Sequence, residues 1–128
     1  MAIASFSLVA LDSRNPARLA GFYASLLGWP LDGREQDDDW VQLTSPSGAT
    51  LAFQLAPDHV VPSWPDDGSV QLHIDFNVAD LDVAEAQVIA LGATKTEVQP
   101  GTEHNDSWRV YLDPDGHPFC LVREKEKL

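Results

Sequence analysis

His73, Asp75 and Asn77 alternate with Leu72, Ile74, Phe76 and Val78. A strand over this stretch places the three polar side chains on one face and the apolar ones on the other. An imidazole in that position is a candidate pocket residue or metal ligand; its structural alternative is a histidine hydrogen-bonded across to the next strand. Cys120 lies between Phe119 and Leu121, with no basic neighbour in sequence to favour a thiolate. It therefore reads as a small pocket-lining residue before it reads as a nucleophile or ligand. Trp40, Trp64 and Trp108 offer flat aromatic surface to a planar ligand, and Tyr111 is a fourth aromatic able to point inward. Trp40 and Trp108 equally suit a structural role at strand starts. His117 follows the glycine of a tight turn and is expected to be a surface or turn-stabilising residue, while His59 and His104 fall in loops. The chain contains no Gly-rich phosphate loop, nucleophile elbow or Cys-x-x-Cys.

The elements that must position these residues occur twice. Trp40 leads into a strand and then Ser45-Pro46-Ser47-Gly48; Trp108 leads into a strand and then Asp113-Pro114-Asp115-Gly116. Trp to Trp, Pro to Pro and Gly to Gly are each offset by 68. Asn15 and Asp80 open helical stretches that close at Gly28 and Gly92, at offsets of 65 and 64. Cap residues, Pro16 at a first helical position and closing glycines fit both helices. Leu19, Phe22, Tyr23, Leu26 and Leu27 recur at helical spacing in the first; Val83, Ala84, Ala86, Val88 and Leu91 supply an apolar side in the second.

Strands are expected over 3–11, 40–43, 50–55, 70–78, 108–112 and 118–123, with 100–106 a polar loop. The expected organisation is one domain over 1–128. Module one covers about 1–56, a proline-rich connector carrying Trp64 covers 57–69, and module two covers 70–124. Each half alone would bury too little surface, so the two should share one fold.

A net charge of −12 argues against nucleic acid and anionic membrane surfaces as partners. The single cysteine excludes an internal disulfide and a cysteine-based zinc cluster. The N-terminal residues carry no basic region followed by an apolar core, and no apolar run approaches the roughly 20 residues that span a bilayer. The expected location is the cytoplasm.

Three segments carry a family resemblance. They are Phe22-Tyr23 through Leu27-Gly28, Leu72-His73-Ile74-Asp75 with Asp80-Leu81-Asp82, and Asp113-Pro114-Asp115-Gly116-His117-Pro118-Phe119-Cys120-Leu121. In this order the chain resembles the glyoxalase-like branch of the vicinal oxygen chelate superfamily, which contains glyoxalase I, extradiol dioxygenases and bleomycin- or fosfomycin-resistance proteins. The resemblance implies an α+β fold of two tandem βαβββ modules, whose mixed sheet curves into a cup around a central cavity. It also implies a homodimer, and a metal held by one ligand from each of four inward-facing strand positions.

Carried onto this chain, those positions fall on His73, Cys120, Leu8 and Ala52, with Gln54 two residues beyond Ala52 on the same face. Leu8 and Ala52 cannot bind a metal. Asp75 lies one strand repeat, roughly 7 Å, from His73. No metal is therefore expected, His73 and Cys120 being the ligands if one binds. The expected function is binding of a small organic molecule in the cleft between modules, lined by His73, Asp75, Gln54, Cys120, Trp64, Trp40, Trp108 and Tyr111. The alternatives are a metal-dependent lyase, isomerase or dioxygenase, and a drug-sequestering protein of the bleomycin-resistance kind.

Overall fold

Strand starts in this protein are set by where pairing partners begin. The computed structural model describes residues 2–3, 5–31, 37–61 and 72–124. They form two compact units, residues 1–59 and 60–128. In the first, β1 (Val9–Ser13) runs parallel to β3 (Thr50–Leu55), which pairs antiparallel with β2 (Trp40–Thr44), giving the order β1-β3-β2. An isolated antiparallel bridge from Leu31 to Leu43 extends the β2 side. The expected strand over 3–11 is displaced, because Val9 pairs with Leu51 and β3 begins only at Thr50. Among the described residues before Val9 none lies in a strand, and Ile3 and Phe6 are exposed.

Between β1 and β2 lies α1 (Pro16–Leu27). Asn15 caps it by accepting from the Arg18 N–H, Pro16 sits in the first turn, and Gly28 closes it in the left-handed conformation. Leu19, Ala20, Phe22 and Tyr23 are buried, and Tyr23 stacks on Phe53 of β3 at 5.6 Å.

The second unit has the order β4-β7-β6-β5, from β4 (Ile74–Val78), β5 (Thr94–Lys95), β6 (Trp108–Leu112) and β7 (Pro118–Arg123). β4 is parallel to β7, and β6 is antiparallel to both β7 and β5. The repeat survives at residue level. β1 and β4 are offset by 65, while β2 and β6, and β3 and β7, are offset by 68. Both tight turns use one hydrogen-bond plan. Ser45 Oγ accepts from the N–H groups of Ser47 and Ala49, and Asp113 Oδ1 from those of Asp115 and His117. The His117 ring also bonds the buried Asp113 carboxylate, at 2.8 Å, which is the turn-stabilising one of the two roles expected of it.

Helix α2 (Leu81–Leu91) is capped by Asp80, which accepts from the Val83 N–H, and closes at Gly92. Its buried stripe is Leu81, Ala84 and Val88. Val83, Ala86 and Leu91, expected on the apolar side, are exposed. Leu72, also expected against the helix, precedes the ladder and is 67% exposed; Ile74 and Phe76 are half-buried. The expected polar loop contains a 3₁₀ turn, Pro100–His104. Gly101 lies so close to the Trp108 carbonyl that a Cβ there would collide with it. No helix among the described residues is long and apolar enough to cross a membrane.

Candidate functional site

Tyr111 fixes the two faces of the second sheet. Its hydroxyl donates to Glu85 Oε1 of α2 at 2.7 Å, and its ring stacks on its cross-strand partner Phe119 at 5.7 Å. Tyr111 and Phe119 therefore face the helix. Arg109, two residues away on the same side, donates to Asp82 of α2 and to Asp106. These partners raise the guanidinium pKa further, Asp106 first, and the same bond holds Asp106 below the usual carboxylate range. Glu85 is lowered as well, chiefly by its bond to Lys95. This network ties α2 to β5 and β6. Tyr111, read from sequence as a pocket candidate, is part of that tie: it is fully buried on the helix side, and burial followed by Glu85 pushes its hydroxyl pKa up.

Alternation then places Val110 and Cys120, a cross-strand pair, on the face away from α2. Parallel pairing of β4 with β7 sets Asp75 beside Cys120. His73 stands just ahead of β4, and its Nε2 lies 3.1 Å from Asp75 Oδ1. Donor atoms of His73, Asp75 and Cys120 all fall within 4.8 Å of one another. The expected strand repeat of roughly 7 Å therefore does not keep these two side chains apart. The 7 Å repeat separates backbones, whereas the two side chains lean along the strand toward each other.

The three groups differ in exposure. Cys120 is 5% exposed, while the side chains of His73 and Asp75 are 46% and 58% exposed. Burial first, then the Asp75 charge and the thiol's hydrogen bond to that carboxylate, push the Cys120 pKa up to about 12. At neutral pH this is a protonated thiol, hydrogen-bonded rather than nucleophilic. Imidazole, carboxylate and thiol are nonetheless a donor set that suits a divalent ion. Two of them open toward solvent, which leaves coordination positions free.

Of the remaining candidates, Gln54 and Trp40 lie in the first unit and Trp108 in the second sheet. In the first unit, Ala10 and Ala52 pair as Asp75 and Cys120 do in the second, with no donor on either side chain. Leu8 precedes β1 and is half-buried. Gln54 is exposed and pairs with both Asp12 and Trp40, and the Trp40 indole donates to Gln42. Trp108 is half-buried at the start of β6, with His104 stacked near it at 6.4 Å. Trp64 lies outside the described residues. Asp75 shares its strand face with His73, as alternation along 72–78 predicts.

The model of the glyoxalase-like domain family matches residues 8–122. Among curated proteins no relative matches. Solved structures share the fold. A glyoxalase/bleomycin resistance protein/dioxygenase family enzyme from Burkholderia phytofirmans PsJN superposes with a TM-score of 0.70 at 18% identity, covering 94% of this chain and 98% of its own. The fosfomycin resistance protein FosX from Listeria monocytogenes gives 0.69 at 15%, covering 99% and 96%. A glyoxalase/bleomycin resistance protein from Albidiferax ferrireducens T118 gives 0.60 at 24%, covering 94% and 98%. The matched span includes all of both sheets but the last residue of β7 and takes in His73, Asp75 and Cys120, so this chain belongs to the glyoxalase-like domain family, within the vicinal oxygen chelate superfamily.

Proposed function

We propose that this domain binds a small organic molecule on the face of the second sheet that carries His73, Asp75 and Cys120. The observation behind this reading is the convergence of those three side chains within 4.8 Å, two of them exposed above a buried thiol. Val110, buried beside Cys120, gives an apolar floor, and alternation puts Trp108 on the same face two residues earlier. An apolar floor with a few convergent polar groups and one aromatic wall is what small-molecule sites are made of. Asp75 and the net charge of −12 favour a cationic or neutral ligand over an anion. The names of the solved neighbours, which include bleomycin and fosfomycin resistance, make drug sequestration the first function to try.

The test is titration of metal-free protein, held in chelator, with bleomycin and a panel of cationic aromatic compounds, and with fosfomycin, a phosphonate anion, as the compound expected to bind most weakly. Calorimetry and backbone amide shifts are the readouts. One saturable site is expected, with shifts concentrated at residues 73–77, 108–110 and 120–122. His73→Ala and Asp75→Asn should each weaken binding about tenfold, as loss of one well-placed polar contact does. Binding whose shifts map to other residues, or no binding at millimolar concentration, would sink the reading.

A further inference from the structure

We infer that His73, Asp75 and Cys120 form a three-ligand site for a zinc-class divalent cation, drawn wholly from the second unit and including a cysteine thiolate. The inference rests on the reading of this face as the ligand-binding one and deepens it by naming the ion through which a ligand would be held. It departs from what the family resemblance implies, namely one ligand from each of four strand positions shared between modules. Here two of those positions are Leu8 and Ala52, which supply no donor.

The geometry carries the argument. Ligand atoms bound at about 2.0–2.3 Å around a tetrahedral ion lie roughly 3.3–3.7 Å apart. His73 Nε2 and Asp75 Oδ1 are already 3.1 Å apart, and no pair in the group exceeds 4.8 Å. The remaining closure, about 1 Å, is within reach of side-chain rotation, and the two groups that must turn are the exposed ones. Cys120 is held by β7 between β4 and β6, so it serves as the fixed anchor. On binding, the S–H bond breaks, the proton leaves to solvent, and the sulfur electron pair forms the bond to the metal.

Ligand chemistry sets the choice of ion. A thiolate with an imidazole favours zinc, cobalt and similar borderline ions, whereas magnesium and calcium take oxygen-only shells. Three protein ligands leave a fourth position open, the arrangement of zinc sites that bind an exogenous oxygen. Both exposed ligands border that position, so it opens to solvent.

The test uses the full chain with zinc, cobalt and magnesium salts alone. One zinc and one cobalt per chain are expected by calorimetry, with magnesium silent. The cobalt form should show sulfur-to-cobalt charge-transfer absorption in the near ultraviolet. Cys120→Ser should abolish that band and weaken zinc binding by more than about 100-fold, beyond the 10–100-fold typical of losing an outer-shell partner. His73→Ala and Asp75→Asn should also weaken binding, and far-ultraviolet circular dichroism checks that each variant folds. No zinc uptake at about 0.1 mM, a cobalt complex without the band, or binding unchanged in all three variants would overturn the site. Those results leave the metal-free titration with organic probes standing; failure of that titration alone would remove the small-molecule reading and leave one-to-one metal binding as support for the site.

Discussion

In the metal-free protein, Cys120 should behave as one of the least reactive of free thiols, for reasons that can be separated. An ordinary cysteine titrates near 9, and here burial, the Asp75 charge and the hydrogen bond to Asp75 carry the thiol to about 12. At pH 8 the thiolate fraction falls from about 10⁻¹ to about 10⁻⁴, so alkylation by iodoacetamide should slow by about 10³-fold from ionisation alone. Restricted access slows the reaction further but scales the rate equally at every pH. The shape of the pH profile therefore isolates the ionisation.

Between pH 7 and 10.5 in chelator, the wild-type rate should climb about tenfold per pH unit without levelling, while the urea-unfolded chain levels near pH 9. Asp75→Asn removes the neighbouring charge but leaves burial, the largest cause, in place. Its profile should bend at a pH below the wild type's and still above 9. The same ionisation has a stability consequence. A thiol whose folded pKa is raised binds its proton more tightly when folded, so its contribution is fully present below the unfolded pKa and is lost as pH rises toward 12. The full separation corresponds to on the order of 4 kcal/mol. Tyr111, whose hydroxyl is also raised, adds a loss at still higher pH. A wild-type alkylation profile that levels near pH 9, or an Asp75→Asn profile that superimposes on it, would refute this account.

Two further substitutions test how the scaffold holds the site. Tyr111→Phe removes a buried hydroxyl bond to a carboxylate that keeps Lys95 and Arg109 as partners, so urea denaturation should show a loss of about 1–2 kcal/mol with unchanged m-value. Unchanged stability would mean that the hydroxyl does not tie β6 to α2. Gly101→Ala would drive a Cβ into the Trp108 carbonyl, displace the 3₁₀ turn and cost about 1–3 kcal/mol. Gly21→Ala, in the interior of α1 with open space around it, should instead stabilise by up to about 1 kcal/mol. Equal effects of the two alanines in thermal melts would contradict the packing seen at Gly101.

The parts legible in sequence are those written in local chemistry. Asn15, Pro16, Gly28, Asp80 and Gly92 bound the helices because caps, a proline at the first turn and left-handed glycines act over four residues or fewer. The paired turns are equally local, which is why their 68-residue offset survives in the strands that flank them. What failed needed partners distant in sequence. β1 begins at Val9 rather than Ile3 because β3 reaches back only to Thr50, in register with Leu8, and β5 is two residues long, too short to show a period. Tyr111 lies in Val110-Tyr111-Leu112, apolar throughout, so alternation could not say which face it takes; Glu85 on α2 decides it.

The candidate site divides along the same line. Alternation alone puts His73 with Asp75, but their contact depends on how side chains lean, and the approach of Cys120 depends on parallel register between β4 and β7. That register is duplicated faithfully in β1 and β3, where the equivalent pair is Ala10 and Ala52. Two copies thus keep one backbone plan while only the second carries donor side chains at this pair. A scaffold stabilised by caps, turns and the helix-facing core tolerates this, since neither alanine nor the His-Asp-Cys group lies on the face that packs against a helix. Donor side chains can therefore stand on the far face of one sheet without a counterpart in the other, and the proposed binding is tested at those three residues rather than from symmetry between the halves.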